Sequence, residues 1–81
     1  MKVLLFGVTK DIIGSSILDV SNFTTNTEKT VGDLHTYLQE EYPELKKLSS
    51  LAIAVNSAYA EHNITLKDTD EVALIPPVSG G

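Results

Sequence analysis

Cysteine, tryptophan and arginine are absent from the 81 residues, and the single methionine is Met1. Without cysteine there is no disulfide framework, no thiolate nucleophile and no zinc knuckle, so the core must hold without cross-links. That usage fits a reducing compartment, and the expected location is cytoplasmic. Cations are scarce as well. Six lysines stand against eleven Asp and Glu, a net charge of -5. This is the wrong sign for a surface that grips a phosphate backbone, which argues against nucleic acid as a partner. No apolar run approaches the ~20 residues of a membrane span. The opening Met1-Lys2-Val3-Leu4-Leu5-Phe6-Gly7-Val8 lacks a small-residue cleavage site after it and reads as a first strand. A chain this short forms one domain and cannot build a deep multi-layer active site. Any chemistry therefore needs a partner or an exposed chain end.

The pattern that is present is a sequence of short strands around one helix. Residues 3–8 are apolar and end at the polar Thr9-Lys10-Asp11, which predicts a buried strand followed by a turn. After Gly14-Ser15-Ser16, the run Ile17-Leu18-Asp19-Val20-Ser21 predicts a second, edge-like strand paired with the first. Residues 22–29 are polar around Phe23 and predict a loop whose aromatic plugs the core. Thr30 then caps a helix, with Asp33 placed as the partner of a capping box. Val31, Leu34, Leu38 and Tyr42 form its apolar stripe, and Pro43 ends it after about thirteen residues. Glu44 to Ser50 predicts a turn or irregular connection. Residues 51–55 predict a strand, Asn56-Ser57 a turn, and Tyr59-Ala60 a short return strand. A short extended piece at 64–66, a turn at 67–70 and a last strand at 71–75 complete the domain. Pro76-Pro77 then ends sheet pairing, since neither residue has an N–H to donate. This order predicts an α+β fold, a ubiquitin-like β-grasp with a mixed sheet and one main helix, over residues 1–75. A ferredoxin-like split βαβ needs a second helix near 46–50 that so few residues barely supply.

Residues 76–81, Pro76-Pro77-Val78-Ser79-Gly80-Gly81, form the most informative stretch and predict a tail ending in two glycines. Two residues without side chains let the backbone pass through a channel too narrow for a Cβ. Six residues beyond Ile75, at ~3.3 Å each, carry the terminal carboxylate on the order of 20 Å from the sheet. A carboxylate is a poor electrophile until its oxygen becomes a leaving group, as in an acyl-adenylate. This chain has no phosphate-binding glycine loop, so activation with ATP falls to a partner enzyme. From composition alone, Ser79-Gly80-Gly81 reads first as a frayed terminus, since termini are commonly small and polar.

The chain resembles the molybdopterin synthase small subunits, sulfur-carrier proteins of the ubiquitin-like group, over its whole length. The resemblance is strongest in Asp70-Glu71-Val72-Ala73-Leu74-Ile75-Pro76-Pro77-Val78-Ser79-Gly80-Gly81. It extends to Leu5-Phe6-Gly7, Lys10-Asp11, Thr30-Val31-Gly32-Asp33-Leu34 and Val55-Asn56. The resemblance implies that Gly81 is the reactive residue, adenylated by an ATP-dependent activating enzyme and converted to a thiocarboxylate by a sulfur donor protein. It further implies that the tail, Pro76 through Gly80, enters a large synthase subunit of a heterotetramer, where sulfur passes to a cyclic pterin precursor in molybdenum cofactor biosynthesis. The chain itself then binds no cofactor and is not catalytic alone. Two related readings are a sulfur carrier for thiazole or another product and a ubiquitin-like modifier joined to lysines. Lys10 stands where the family often has Arg, and so keeps the charge without the bidentate fork. Thr69 stands where the family generally has Gly, so a positive φ there is expected to be strained.

Phe6, Tyr59 and Ile75 are expected on or beside the sheet near the tail, where with Lys10 they are candidates for docking a larger partner. Core packing is the competing role for each apolar residue taken alone. His35 and His62 are far apart in sequence and have no cysteine partners, which speaks against zinc. They read as an edge residue of the helix and a loop residue. Asp68, Asp70 and Glu71 read as a solvated set shaping a turn, with an electrostatic role toward a basic partner as the functional version. The serines show no spacing to His and Asp that makes a triad.

Overall fold

A computed structural model describes residues 1–20, 23, 28–48 and 50–76. The element order is β1 (Lys2–Leu5), α1 (Gly7–Ile13), β2 (Ile17–Asp19), β3 (Lys29–Thr30), α2 (Val31–Glu41), a 3-10 turn (Pro43–Lys47), β4 (Ala52–Val55), β5 (Ala58–Tyr59), β6 (Thr65–Leu66) and β7 (Glu71–Ile75). Five strands form one sheet in the order β2-β1-β7-β4-β5, and β3 pairs with β6 in a separate two-stranded ribbon. The central pair β1 and β7 is parallel, with Leu5 opposite Leu74, and the remaining pairs are antiparallel. This is the mixed sheet of a β-grasp with α2 as its main helix.

The core follows from two periodicities meeting. On β1 and β7 every second residue, Val3, Leu5, Val72 and Leu74, is buried. The α2 stripe Val31, Leu34 and Leu38 is fully buried and belongs to the same cluster, together with Ile53, Leu45 and Leu66. The predicted stripe therefore faces the sheet, with Tyr42 half-buried at its end. The capping box is present with Asp in place of Glu. The Asp33 N–H donates to Thr30 Oγ1 at 3.2 Å and the Thr30 N–H donates to Asp33 Oδ2 at 3.0 Å.

The first strand is shorter than its apolar run predicts. It ends at Leu5, and Gly7–Ile13 forms a helix where a strand end and turn are expected. Thr9 explains the break. Its fully buried hydroxyl accepts the Phe6 N–H at 3.1 Å and donates back to the Phe6 carbonyl, satisfying the backbone where strand pairing stops. Gly7, at φ +54°, makes the turn, and Gly14, at φ +86°, closes the helix through its N–H on the Lys10 carbonyl at 2.8 Å. Gly14 is thus a helix terminator as well as the start of a turn. Within the expected irregular connection, a 3-10 turn starts at Pro43 and buries Leu45.

The hairpin between β4 and β5 has left-handed Asn56 (φ 52°) and Ser57 (φ 71°), the two-residue turn whose twist suits adjoining strands. Thr69 is not in the left-handed region, so the strain expected from replacing Gly there does not arise. Phe23 is half-buried against the core and its ring lies 5.2 Å from that of Tyr37, in line with an aromatic plug. The rest of the polar loop, at 22 and 24–27, lies outside the described residues.

Candidate functional site

The strand that leads into the tail is β7, and its alternation sorts the site from the core. Val72 and Leu74 point inward, which leaves Glu71, Ala73 and Ile75 on the opposite face. Register then builds a row across four strands. Leu4 pairs with Ala73, Ala73 with Ala54, and Ala54 with Tyr59. Two alanines at the centre keep the floor low, while larger side chains stand around it. The result is an open groove of roughly 330 Å³ lined by Leu4, Phe6, Ala54, Ser57, Tyr59, Glu71, Ala73 and Ile75. Phe6 is 49% and Tyr59 76% exposed, large apolar surfaces that the core does not claim.

Of the residues expected to meet a partner, the structure gathers Phe6, Tyr59 and Ile75 around this groove. Lys10 is exposed on α1 and is not among the groove's lining residues. Among the described residues, Glu71 is the only charged one lining the groove. The lining residues Leu4, Ala54 and Ala73 were not singled out from sequence. Their signal was available in the alternation of 52–55 and 71–75, which sets Ala54 and Ala73 opposite in face to Ile53 and Leu74.

At the tail's base, β1 turns away into α1 while β7 runs on to Pro76. An ideal Cβ on Gly7 would sit 3.3 Å from the Pro76 Cγ. Pro77, Val78, Ser79, Gly80 and Gly81, which carry the expected reactive end, lie outside the described residues.

At the start of β7 the acidic turn is tied together. Asp70 accepts from the Lys67 N–H at 2.8 Å and from Asn56 Nδ2 at 3.0 Å, while Asn56 Oδ1 accepts the Glu71 N–H at 2.9 Å. The backbone bond from Lys67, then the Asn56 amide, holds the Asp70 carboxyl below its ordinary value. Asp70 therefore pins one turn to the other, which is the shaping role expected of that set. His35 and His62, by contrast, come together, with stacked rings 5.3 Å apart. Burial, then the neighbouring His62, lowers the His35 pKa. Among the described residues no three His, Cys, Asp or Glu side chains are grouped to hold a metal ion.

A mixed β-grasp sheet with one main helix and an apolar groove on the face opposite it places the fold in the ubiquitin-like class. Residues 3–81 match the profile described as the ThiS family. The chain is 34% identical over 83 residues to the molybdopterin synthase sulfur carrier subunit of Dictyostelium discoideum, covering 99% of this chain and 94% of that protein. Its fold is similar to the solution structure of small archaeal modifier protein 1 from Methanosarcina acetivorans, with TM-score 0.77, 27% identity, and 99% and 94% of the two chains covered. It is also similar to a chain in the complex of subunits 1 and 2 of molybdopterin-converting factor from Helicobacter pylori, with TM-score 0.60, 29% identity, and 99% and 96% covered. The chain belongs to the ThiS family of ubiquitin-like sulfur carriers.

Proposed function

We propose that this chain is the sulfur carrier subunit of a molybdopterin synthase, with the carboxylate of Gly81 as its working group. The observation that carries the reading is the union of a Gly-Gly terminus with an open apolar groove at the base of the strand that bears it. In the cycle, a Gly81 carboxylate oxygen attacks the α-phosphate of ATP on an activating enzyme, and pyrophosphate leaves. A sulfide equivalent from a donor protein displaces AMP to give the thiocarboxylate. The tail then delivers sulfur to a cyclic pterin precursor in a large subunit that docks on the groove, and the chain departs as carboxylate in the cytoplasm. Phe6, Tyr59 and Ile75 supply the docking contacts, and the glycines let the tail thread a narrow channel. The similarity to an archaeal modifier protein supports a second reading, in which a lysine amine attacks the activated Gly81 carbonyl.

The test is to mix the sulfur-charged chain with the large subunit and cyclic pterin precursor, and to follow chain mass and pterin product together. Sulfur loss matched by dithiolene formation is expected. Sulfur retained here but consumed by a thiazole-forming enzyme contradicts the assignment in favour of the sister pathway. Adducts on lysines contradict it in favour of the modifier.

A further inference from the structure

We propose that Gly7 is a positioning residue for the C-terminal tail: it forms a flat seat for the Pro76 ring and thereby sets the direction in which the tail leaves the sheet. The contact itself stands on the structure alone, and its consequence for sulfur chemistry rests on the carrier reading above.

Three observations carry it. The parallel register ends with Leu5 opposite Leu74, and Gly7 and Pro76 each stand two residues beyond that last pair. Pro76 has no N–H, so no ladder bond from its nitrogen can fix it and packing must do so. Gly7 offers that packing surface, since a Cβ at this position would stand 3.3 Å from Pro76 Cγ, tighter than side chains ordinarily meet. The seat is itself held in place. The neighbouring turn is locked by the buried Thr9 hydroxyl on both backbone groups of Phe6, and Gly7 takes a left-handed φ of +54°. Pro76 is the point from which the chain leaves β7 toward Gly81, so crowding at its ring acts where the tail departs. A reacting group misplaced by about an ångström can cost on the order of a hundredfold in rate.

The experiment separates the seat from backbone strain. Asn tolerates left-handed φ yet carries a Cβ, so Gly7→Asn crowds the proline with little conformational cost. In Pro76→Ala the crowding atom is gone. The full chain, both single variants and the double variant are melted thermally and assayed for C-terminal adenylation by the activating enzyme, with kcat and KM separated. Gly7→Asn is expected to lower kcat/KM roughly tenfold or more while binding to the activating enzyme stays near wild type. In the Pro76→Ala background the same change should cost nothing further in either rate or melting temperature. Wild-type kcat/KM in Gly7→Asn, or losses that simply multiply in the double variant, overturn the proposal. A wild-type chain that no activating enzyme charges overturns the carrier reading and the positioning role with it, while the stability coupling still decides the contact.

Discussion

Tyr59 is a large apolar side chain on a two-residue edge strand, and nothing in the core accounts for its exposure. Its ring stands at the rim of the alanine-floored groove, the arrangement of an aromatic anchor in a protein interface. Tyr59→Ala is expected to weaken binding to the large subunit by about 2 kcal/mol or more, with folding stability changed by under ~0.5 kcal/mol. Calorimetric titration and a thermal melt check the two halves separately, and a large stability loss with unchanged affinity contradicts the anchor role. Residue identity made some of this site readable. Phe6, Tyr59 and Ile75 are apolar residues close to the ends of predicted strands, and the turn at Asn56-Ser57 follows from their tolerance of positive φ. Thr9 was not readable, because its value lies in two hydrogen bonds to Phe6 that exist only once the chain bends there.

Among the elements, α2 was the most legible because stripe, cap and terminating proline agree. Its cap also sets a pH dependence. The Thr30 backbone bond lowers the Asp33 pKa from 3.8, and the Lys67 bond does the same for Asp70. A carboxyl with a depressed folded-state pKa contributes stability above its unfolded value and loses it as pH falls through the folded one. His35 acts in the same direction at higher pH. Its folded state favours the neutral ring, so stability is full above about 6.5 and declines as pH falls below it. Melts between pH 8 and 5 should show this first decline, and His35→Gln should flatten it; an unchanged slope contradicts the assignment. Thr30→Ala should cost about 1 kcal/mol at neutral pH through loss of the cap, measured by denaturant unfolding. The helix α1 escaped sequence reading for a physical reason. Its first two residues, Gly7-Val8, continue the apolar run of β1, and a seven-residue segment has too little periodicity to separate from a strand end and turn. The two-residue β3 was hidden in the same way, since Thr30 serves both as its last residue and as the α2 cap.

The whole molecule divides its labour between faces of one sheet. The inner face and α2 supply stability, with Leu34 fully buried in the cluster, and Leu34→Ala should cost roughly 2–5 kcal/mol in chemical denaturation. In the proposed carrier role, function falls to the outer face and the chain end, so deleting Gly80 and Gly81 should leave the melting temperature near wild type while abolishing activation. The fold class was legible because strand order and the single long helix leave few ways to build a mixed sheet. The groove was not, because it depends on which residues of β1, β4, β5 and β7 fall in register. The most direct test of the central claim is the intact mass of the full chain after incubation with host extract, ATP and a sulfur source, with fragmentation of the C-terminal peptide. The account predicts exchange of one oxygen for one sulfur, located on Gly81. An unchanged mass, or adducts formed only through lysine amides, would contradict it.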